Sequence, residues 1–328
     1  MGIDKQVLKN KDQYIQALRG ISIAAVVLIH CLGKDGVGSW LVKPCLYFSV
    51  MLFIFLSGYL TKKERVERQV FKFYFKRLSK IIPPYIIWTI IYLIYDKSLT
   101  ITYFIKCLIT AGACGPLYFL VDYGELVLLT PLLFLMLQKK WGKIALYLIT
   151  PLYMIFNYFA QWQNWDTVVP ICGWLLLPYL LGLEHDKWEG RIKNIRFDFS
   201  VFLVLLTLVI QIAEGLLWRC IGIRNLMNTQ DKLSTLLYFL AVAVFFFRFS
   251  DAQKEKLSKV TLLTNLGEWS FGIYLIHKLF IYIIDDFIPL GFPSGLLLWL
   301  IAGCASAFVV AIIKRIFPKI LNSLIGFV

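Results

Sequence analysis

Apolar residues along this chain gather into blocks of about twenty, separated by short segments rich in Lys and Arg. A helix of about 20 apolar residues crosses the roughly 30 Å of hydrocarbon in a bilayer. In lipid each backbone N–H and C=O must find its partner within its own segment, so blocks of this length read as helices. The alternation at period two expected of a membrane barrel is not seen. The pattern therefore predicts an all-α polytopic membrane protein, a bundle of about ten transmembrane helices. Their spans fall at roughly 14–33, 41–60, 81–95, 116–138, 143–160, 168–183, 199–218, 232–249, 264–287 and 295–317. The third is short and opens on Pro83-Pro84, which predicts a kinked or interfacial start. Residues 100–113 are too short to span and are expected at the surface or as a re-entrant segment.

Composition strengthens this reading. Only 16% of the 328 residues are charged and the mean hydropathy is +0.72, whereas a soluble domain carries roughly 25% charged residues. No soluble domain is left over, so residues 1–328 read as one transmembrane domain, with 61–80 as a basic segment between the second and third spans. A net charge of +14 would suggest nucleic acid in a soluble protein. Here the positive residues sit in short loops between apolar runs, so the partner they imply is the lipid bilayer and not nucleic acid. With the N-terminus inside, 25 of the 34 Lys and Arg residues fall in inner segments and 7 in outer loops, leaving Arg19 and Lys278 within spans. That split predicts cytoplasmic N- and C-termini. Its weak point is the outer loop 219–232, which carries three positive residues. No cleavable signal peptide is expected, because the first apolar run holds Arg19 and no small-residue cleavage site follows it.

Ionisable residues at membrane depth are costly and so mark candidate chemistry. Arg19 and His30 are eleven residues apart on one helix, which puts them on one stripe about 16 Å apart along the axis. A cation near the cytoplasmic end and a proton acceptor deeper on the same stripe suit a ligand entering head-first from the cytoplasm. The bland alternative is a snorkelling Arg and a His satisfied by a neighbouring helix. His277 is the other histidine within a span, and imidazole is the usual side chain for exchanging a proton near neutral pH. His185 is expected in a solvated cytoplasmic loop, and Lys278 is expected to pair with Asp285 or Asp286. Asp122 and Glu125 share a helix face and suit either orientation of a histidine or structural pairing. The segment TKKERVERQVFKFYFKRLSK at 61–80 reads as a juxtamembrane helix on anionic head groups, or as a dock for a polyanionic ligand such as a nucleotide. The seven cysteines are scattered and read as packing residues, so no metal site is expected. Ser57-Gly58 and Gly267 read as places of close helix approach.

Taken in order, these residues resemble acyltransferase family 3, membrane proteins that transfer acyl groups to sugars and other cell-envelope molecules. YIQALRGISIAAVVLIH looks like the family's first helix, an Arg, ten residues, then a His. FIFLSGYL followed by FKRLSKIIPPYIIW resembles its second-to-third-helix junction, with Arg77 and Lys80 in the places of an R-x-x-R pair. PLYFLVDYGELVLLTP and LGEWSFGIYLIH are similar to two later helices of the branch with ten spans. Lys80 in place of Arg and Tyr118 in place of Trp are departures from the pattern.

The resemblance implies an O-acetyltransferase of the bacterial cytoplasmic membrane, with acetyl-CoA as cytoplasmic donor and an envelope hydroxyl as acceptor. It implies that Arg19, Arg77, Lys80 and Lys76 hold the donor's phosphates. His30 would act as base or nucleophile, His277 would orient or deprotonate the acceptor, and Asp122 or Glu125 would fix an imidazole tautomer. The chain is also similar to the membrane modules of vancomycin-resistance serine racemases. That likeness implies a different class of function, uptake of a small polar solute such as serine, with a cytoplasmic enzyme appended or partnered.

Overall fold

The computed structural model describes residues 2–163, 165 and 171–327, and every regular element among them is helical. The principal helices are α1 (Gly2–Cys31), α2 (Phe48–Tyr59), α3 (Val70–Leu78), α4 (Ile82–Tyr95), α5 (Ile101–Thr110), α6 (Tyr118–Leu137) and α7 (Lys140–Trp162). They continue as α8 (Leu176–Leu183), α9 (Phe197–Ile221), α10 (Leu233–Phe247), α11 (Thr261–Glu268), α12 (Ser270–Asp285) and α13 (Ser294–Ile316).

Eight stretches among the described residues are long and apolar enough to cross a membrane: Asp12–Cys31, Gly38–Tyr59, Val70–Tyr95, Gly115–Leu137, Lys140–Trp162, Phe197–Ile221, Asn225–Phe247 and Ser294–Ile316. The other two of the ten predicted spans correspond to shorter helices. For the sixth, residues 168–170 lie outside the described residues and the remainder is the 12-residue apolar stretch Cys172–Leu183. The ninth is divided at Trp269 into α11 and α12. The basic segment is helical, as its juxtamembrane reading expects, but in two pieces: a short helix at Lys63–Arg68 and, after a break at Gln69, α3, which is nearly continuous with α4. The two prolines occupy the first turn of α4, where a missing N–H costs no hydrogen bond, so they start a helix and do not kink one. Residues 100–113 supply the ten-residue α5, with Ile101, Ile105 and Ile109 exposed.

Packing follows from where small residues fall. α1 crosses α11 so closely that a Cβ on Gly20 would overlap the Leu263 carbonyl, and one on Gly267 the Gln16 carbonyl. α2 and α8 meet the same way, Gly58 against the Tyr179 carbonyl and Gly182 against that of Phe55. Between membrane helices the driving force is close van der Waals fit, which favours small residues at crossings. α9 buries Ser200, Gln211 and Gly215 while Leu205, Val209 and Leu217 stay exposed, the inverted pattern that contact with lipid demands.

The short α8 and its 3-10 lead-in, Cys172–Leu175, are pinned by polar groups of α6 and α7. The Trp174 indole N–H donates to Asp122 Oδ2 at 3.1 Å, and the Cys172 amide donates to Glu125 Oε2 at 2.8 Å. The Thr150 hydroxyl donates to the Gly173 carbonyl at 2.8 Å and accepts from the Leu177 amide at 2.9 Å. Irregular backbone at membrane depth is tolerated when protein groups satisfy it in this way.

Two predicted environments are corrected. Lys278 forms no ion pair with Asp285 or Asp286; its ammonium lies 4.8 Å from the centre of the Tyr282 ring, and Asp285 instead accepts from the Leu290 amide. His185 is packed and not solvated. Its ring lies 3.9 Å from that of Tyr59, and its nitrogens meet the Gly182 carbonyl and Asp186.

Candidate active site

Four predicted site residues converge on the end of the bundle that carries the basic segment. Arg19 from α1, Arg77 from α3 and Lys80 from the turn after it line one cavity of about 280 Å³, together with Tyr123, Ser270 and Tyr274. Arg77 is held as a fork, Nη1 donating to the Tyr123 hydroxyl at 3.1 Å and Nη2 to Thr61 Oγ1 at 3.3 Å. It also lines an adjoining groove of about 330 Å³, where Lys76 joins Lys62, Arg65 and Lys72. Among the described residues neither Arg19 nor Arg77 meets a carboxylate. Guanidinium groups left without an anion at the head of a cavity are suited to phosphate.

The two intramembrane histidines meet further along the bundle. His30 lies in the last turn of α1 and His277 midway along α12, and their ring centroids are 5.2 Å apart with planes inclined by 41°. His277 is fully buried. Its Nδ1 lies 2.7 Å from the Tyr274 carbonyl and 3.2 Å from that of Ile273, so this nitrogen carries the proton. Nε2 then presents a lone pair, and it is buried with no protein partner. The Tyr274 ring, 5.8 Å from His277, also lines the basic cavity.

His30 opens on the opposite side into a second cavity, about 580 Å³, whose walls include Lys34, Lys43, Asn157, Arg219 and Asp231. The histidine pair thus stands between a cationic cavity at the basic end and a roomier polar one at the far end. The predicted role of Asp122 and Glu125 as histidine partners is not what the geometry provides. Both are engaged with α8 and its lead-in, and the His277 tautomer is set by backbone carbonyls one helical turn away.

The model of the acyltransferase domain matches residues 12–315, a stretch that includes both cavities and both histidines. The chain belongs to acyltransferase family 3. No curated protein and no solved structure matches it. The acyltransferase assignment gives the constellation its reaction class, transfer of an acyl group by a multi-pass membrane protein, and lends no support to solute transport.

Several residues of the acyltransferase site went unseen in the sequence. Tyr123 and Thr61, which hold Arg77, carry no motif. Tyr274 stands three residues before His277, and helical spacing alone puts the two on one face. Lys43 stands at the very start of the predicted span 41–60 and counts with the outer-loop charges, so the sequence does not set it apart.

Proposed function

We propose that this acyltransferase is an O-acetyltransferase that takes acetyl from acetyl-CoA at the basic end and delivers it to a hydroxyl of a cell-envelope acceptor in the far cavity. The observation that carries this reading is the His30–His277 pair lying between the two cavities. In this reading the basic end faces the cytoplasm, as the distribution of Lys and Arg predicts.

Arg19, Arg77 and Lys80 hold the donor's diphosphate, and Lys76 and its neighbours in the adjoining groove take the remaining phosphate. The acyl arm runs along the α1 stripe, about 16 Å from Arg19 to His30. His30 removes the proton of the acceptor hydroxyl as its oxygen attacks the thioester carbonyl. The new C–O bond forms, the C–S bond breaks, and the proton held by His30 passes to the departing thiolate. CoA leaves as the thiol and His30 returns to neutral. The His277 ring packs beside that of His30, 5.2 Å between centroids, and holds its basic nitrogen towards the acceptor, so both rings serve the acceptor's one proton.

The experiment is transfer of label from acetyl-CoA to envelope material by the protein in liposomes. A 42-dalton increment on one envelope component is expected, present with the protein and absent with His30→Ala. Retained acetylation by His30→Ala protein that still inserts would sink this reading.

A further inference from the structure

The far cavity holds a lysine that nothing in the protein explains. Lys43 begins a single helical turn, Lys43–Leu46, and is 8% exposed. A lysine costs about 2.5–3.5 kcal/mol at the centre of a span and less near its end, where Lys43 lies, and a side chain this buried still calls for something to offset the cost. Its backbone N–H donates to the Gly38 carbonyl, but among the described residues the Lys43 ammonium makes no hydrogen bond and no ion pair. The contrast with Lys232, fully buried, is informative. Its ammonium donates to the Met227 carbonyl at 3.3 Å and lies 5.8 Å from the centre of the Tyr47 ring.

The acids of the cavity form no ion pair with Lys43, and Asp35 acts on it only at longer range. Asp231 accepts from Asn157 Nδ2 at 2.7 Å and from the Thr229 hydroxyl, while Asp35 stands exposed on the rim. Two further cations, Lys34 and Arg219, are exposed on the same walls. Arg219, in the last turn of α9, falls in the stretch predicted as an outer loop with charge against the positive-inside bias, and lining this cavity gives that departure a purpose. The charged side chains that act on His30 are Lys278 and Lys43, both cationic. The same walls carry amides suited to sugar hydroxyls, Asn157, Gln161 and Gln230 among them, and their three cations outnumber the two acids, an excess that a neutral polyol would leave unanswered.

We infer that the acceptor is an anion, bearing a carboxylate or a phosphate ester beside its reacting hydroxyl, and that Lys43 binds that group. The inference rests on the far cavity being the acceptor side. Lys34 and Arg219 draw the anion to the rim, and Lys43, 8% exposed in the cavity wall, discriminates it from neutral relatives.

The test is equilibrium binding to the full chain in phosphatidylcholine nanodiscs, with N-acetylmuramic acid, N-acetylglucosamine 6-phosphate and neutral N-acetylglucosamine as probes. The wild-type protein is expected to bind at least one of the two anions about 10-fold or more tightly than the neutral sugar, as a charge-assisted contact in a buried site allows. The carboxylate and phosphate arms show which anion is preferred. Lys43→Met is expected to bring that ratio to about 1, and Lys43→Arg to restore part of it. Equal binding of all three probes by the wild type, no saturable binding of either anion, or undiminished preference in Lys43→Met would each overturn the inference. The wild-type comparison needs no variant to fold and no turnover. If anion preference holds while His30→Ala still transfers acetyl, the proposed chemistry fails and this inference stands.

Discussion

The imidazoles of His30 and His277 face one another at 5.2 Å between ring centroids, although one closes the first helix and the other lies near the end of the chain. Among the described residues only His277 has its tautomer set by the backbone, which fits the unequal roles proposed above, His277 orienting and His30 reacting. His30→Ala is expected to lower acetyl transfer by about 10²–10⁴-fold, the usual range for loss of a general base. His277→Ala should cost less, and the double variant should be no worse than His30→Ala alone, since both act on one proton. Initial rates of the four proteins at saturating acetyl-CoA check this, and additive losses would separate the two histidines.

Arg77 acts through its shape as well as its charge. Its two terminal nitrogens engage Tyr123 and Thr61 separately, a fork that Lys cannot reproduce. Arg77→Ala is expected to weaken acetyl-CoA binding by about 10–100-fold, and Arg77→Lys to recover only part of the loss. The rate at saturating donor should change far less. Donor titrations of the three proteins measure both quantities.

Asp122 is expected to behave as a structural residue. Its Oδ2 receives the Trp174 indole N–H, a contact that the amide oxygen of Asn can keep. Asp122→Asn should therefore retain transfer within a few-fold of wild type. Asp122→Leu leaves that indole without its acceptor and should lower thermal stability by about 1–3 kcal/mol. A loss in Asp122→Asn as large as that in His30→Ala would return Asp122 to the reacting groups.

These residues also mark how far the sequence could be read. Arg19 and His30 were placed on one stripe by helical period alone, and they do line the two cavities. Residue spacing works within a helix because 3.6 residues per turn is a local constraint. It cannot say which helices touch, so the pairing of His30 with His277 had no local signal. Asp122 and Glu125 were correctly put on one face, yet what they hold is an indole and an amide from a short segment that hydropathy alone read as an ordinary span. Residues 61–80 read as a juxtamembrane helix outside the spans because charge dominates their average, whereas the helix at 70–78 is nearly continuous with α4.

The crossing of α1 and α11 has no room to spare. A methyl group on either Gly20 or Gly267 would overlap a backbone carbonyl, which cannot rotate away as a side chain does. Gly20→Ala and Gly267→Ala are each expected to cost about 1–3 kcal/mol, the usual penalty for overpacking. Because α1 carries Arg19 and His30, transfer should fall in parallel with stability. Gly190→Ala serves as control, since open space surrounds that position. Melting temperatures in detergent, together with transfer rates, test the pair against the control.

At the basic end, outside the spans, Glu184 is buried at 4% side-chain exposure with three donors around it. Lys143 Nζ lies 2.9 Å away, the Tyr147 hydroxyl donates at 2.6 Å, and Lys187 completes the set. Burial alone would raise its pKa, but the hydrogen bonds from Lys187, Tyr147 and Lys143 outweigh it and hold the carboxyl below the ordinary range. The folded value lies below the unfolded one, so the protein is stabilised wherever the carboxylate is ionised in both states. That contribution is complete above the unfolded value near 4.3 and is lost as pH falls through the depressed folded value. Stability of the wild type should therefore drop on acidification below about pH 4 more steeply than that of Glu184→Gln. At pH 7 the variant should be weaker by about 1–2 kcal/mol, a figure kept small because Lys143 and Lys187 are 39% and 61% exposed. Melting curves of both proteins from pH 3 to pH 7 decide it, and parallel curves would show that the three donors contribute nothing through ionisation of Glu184.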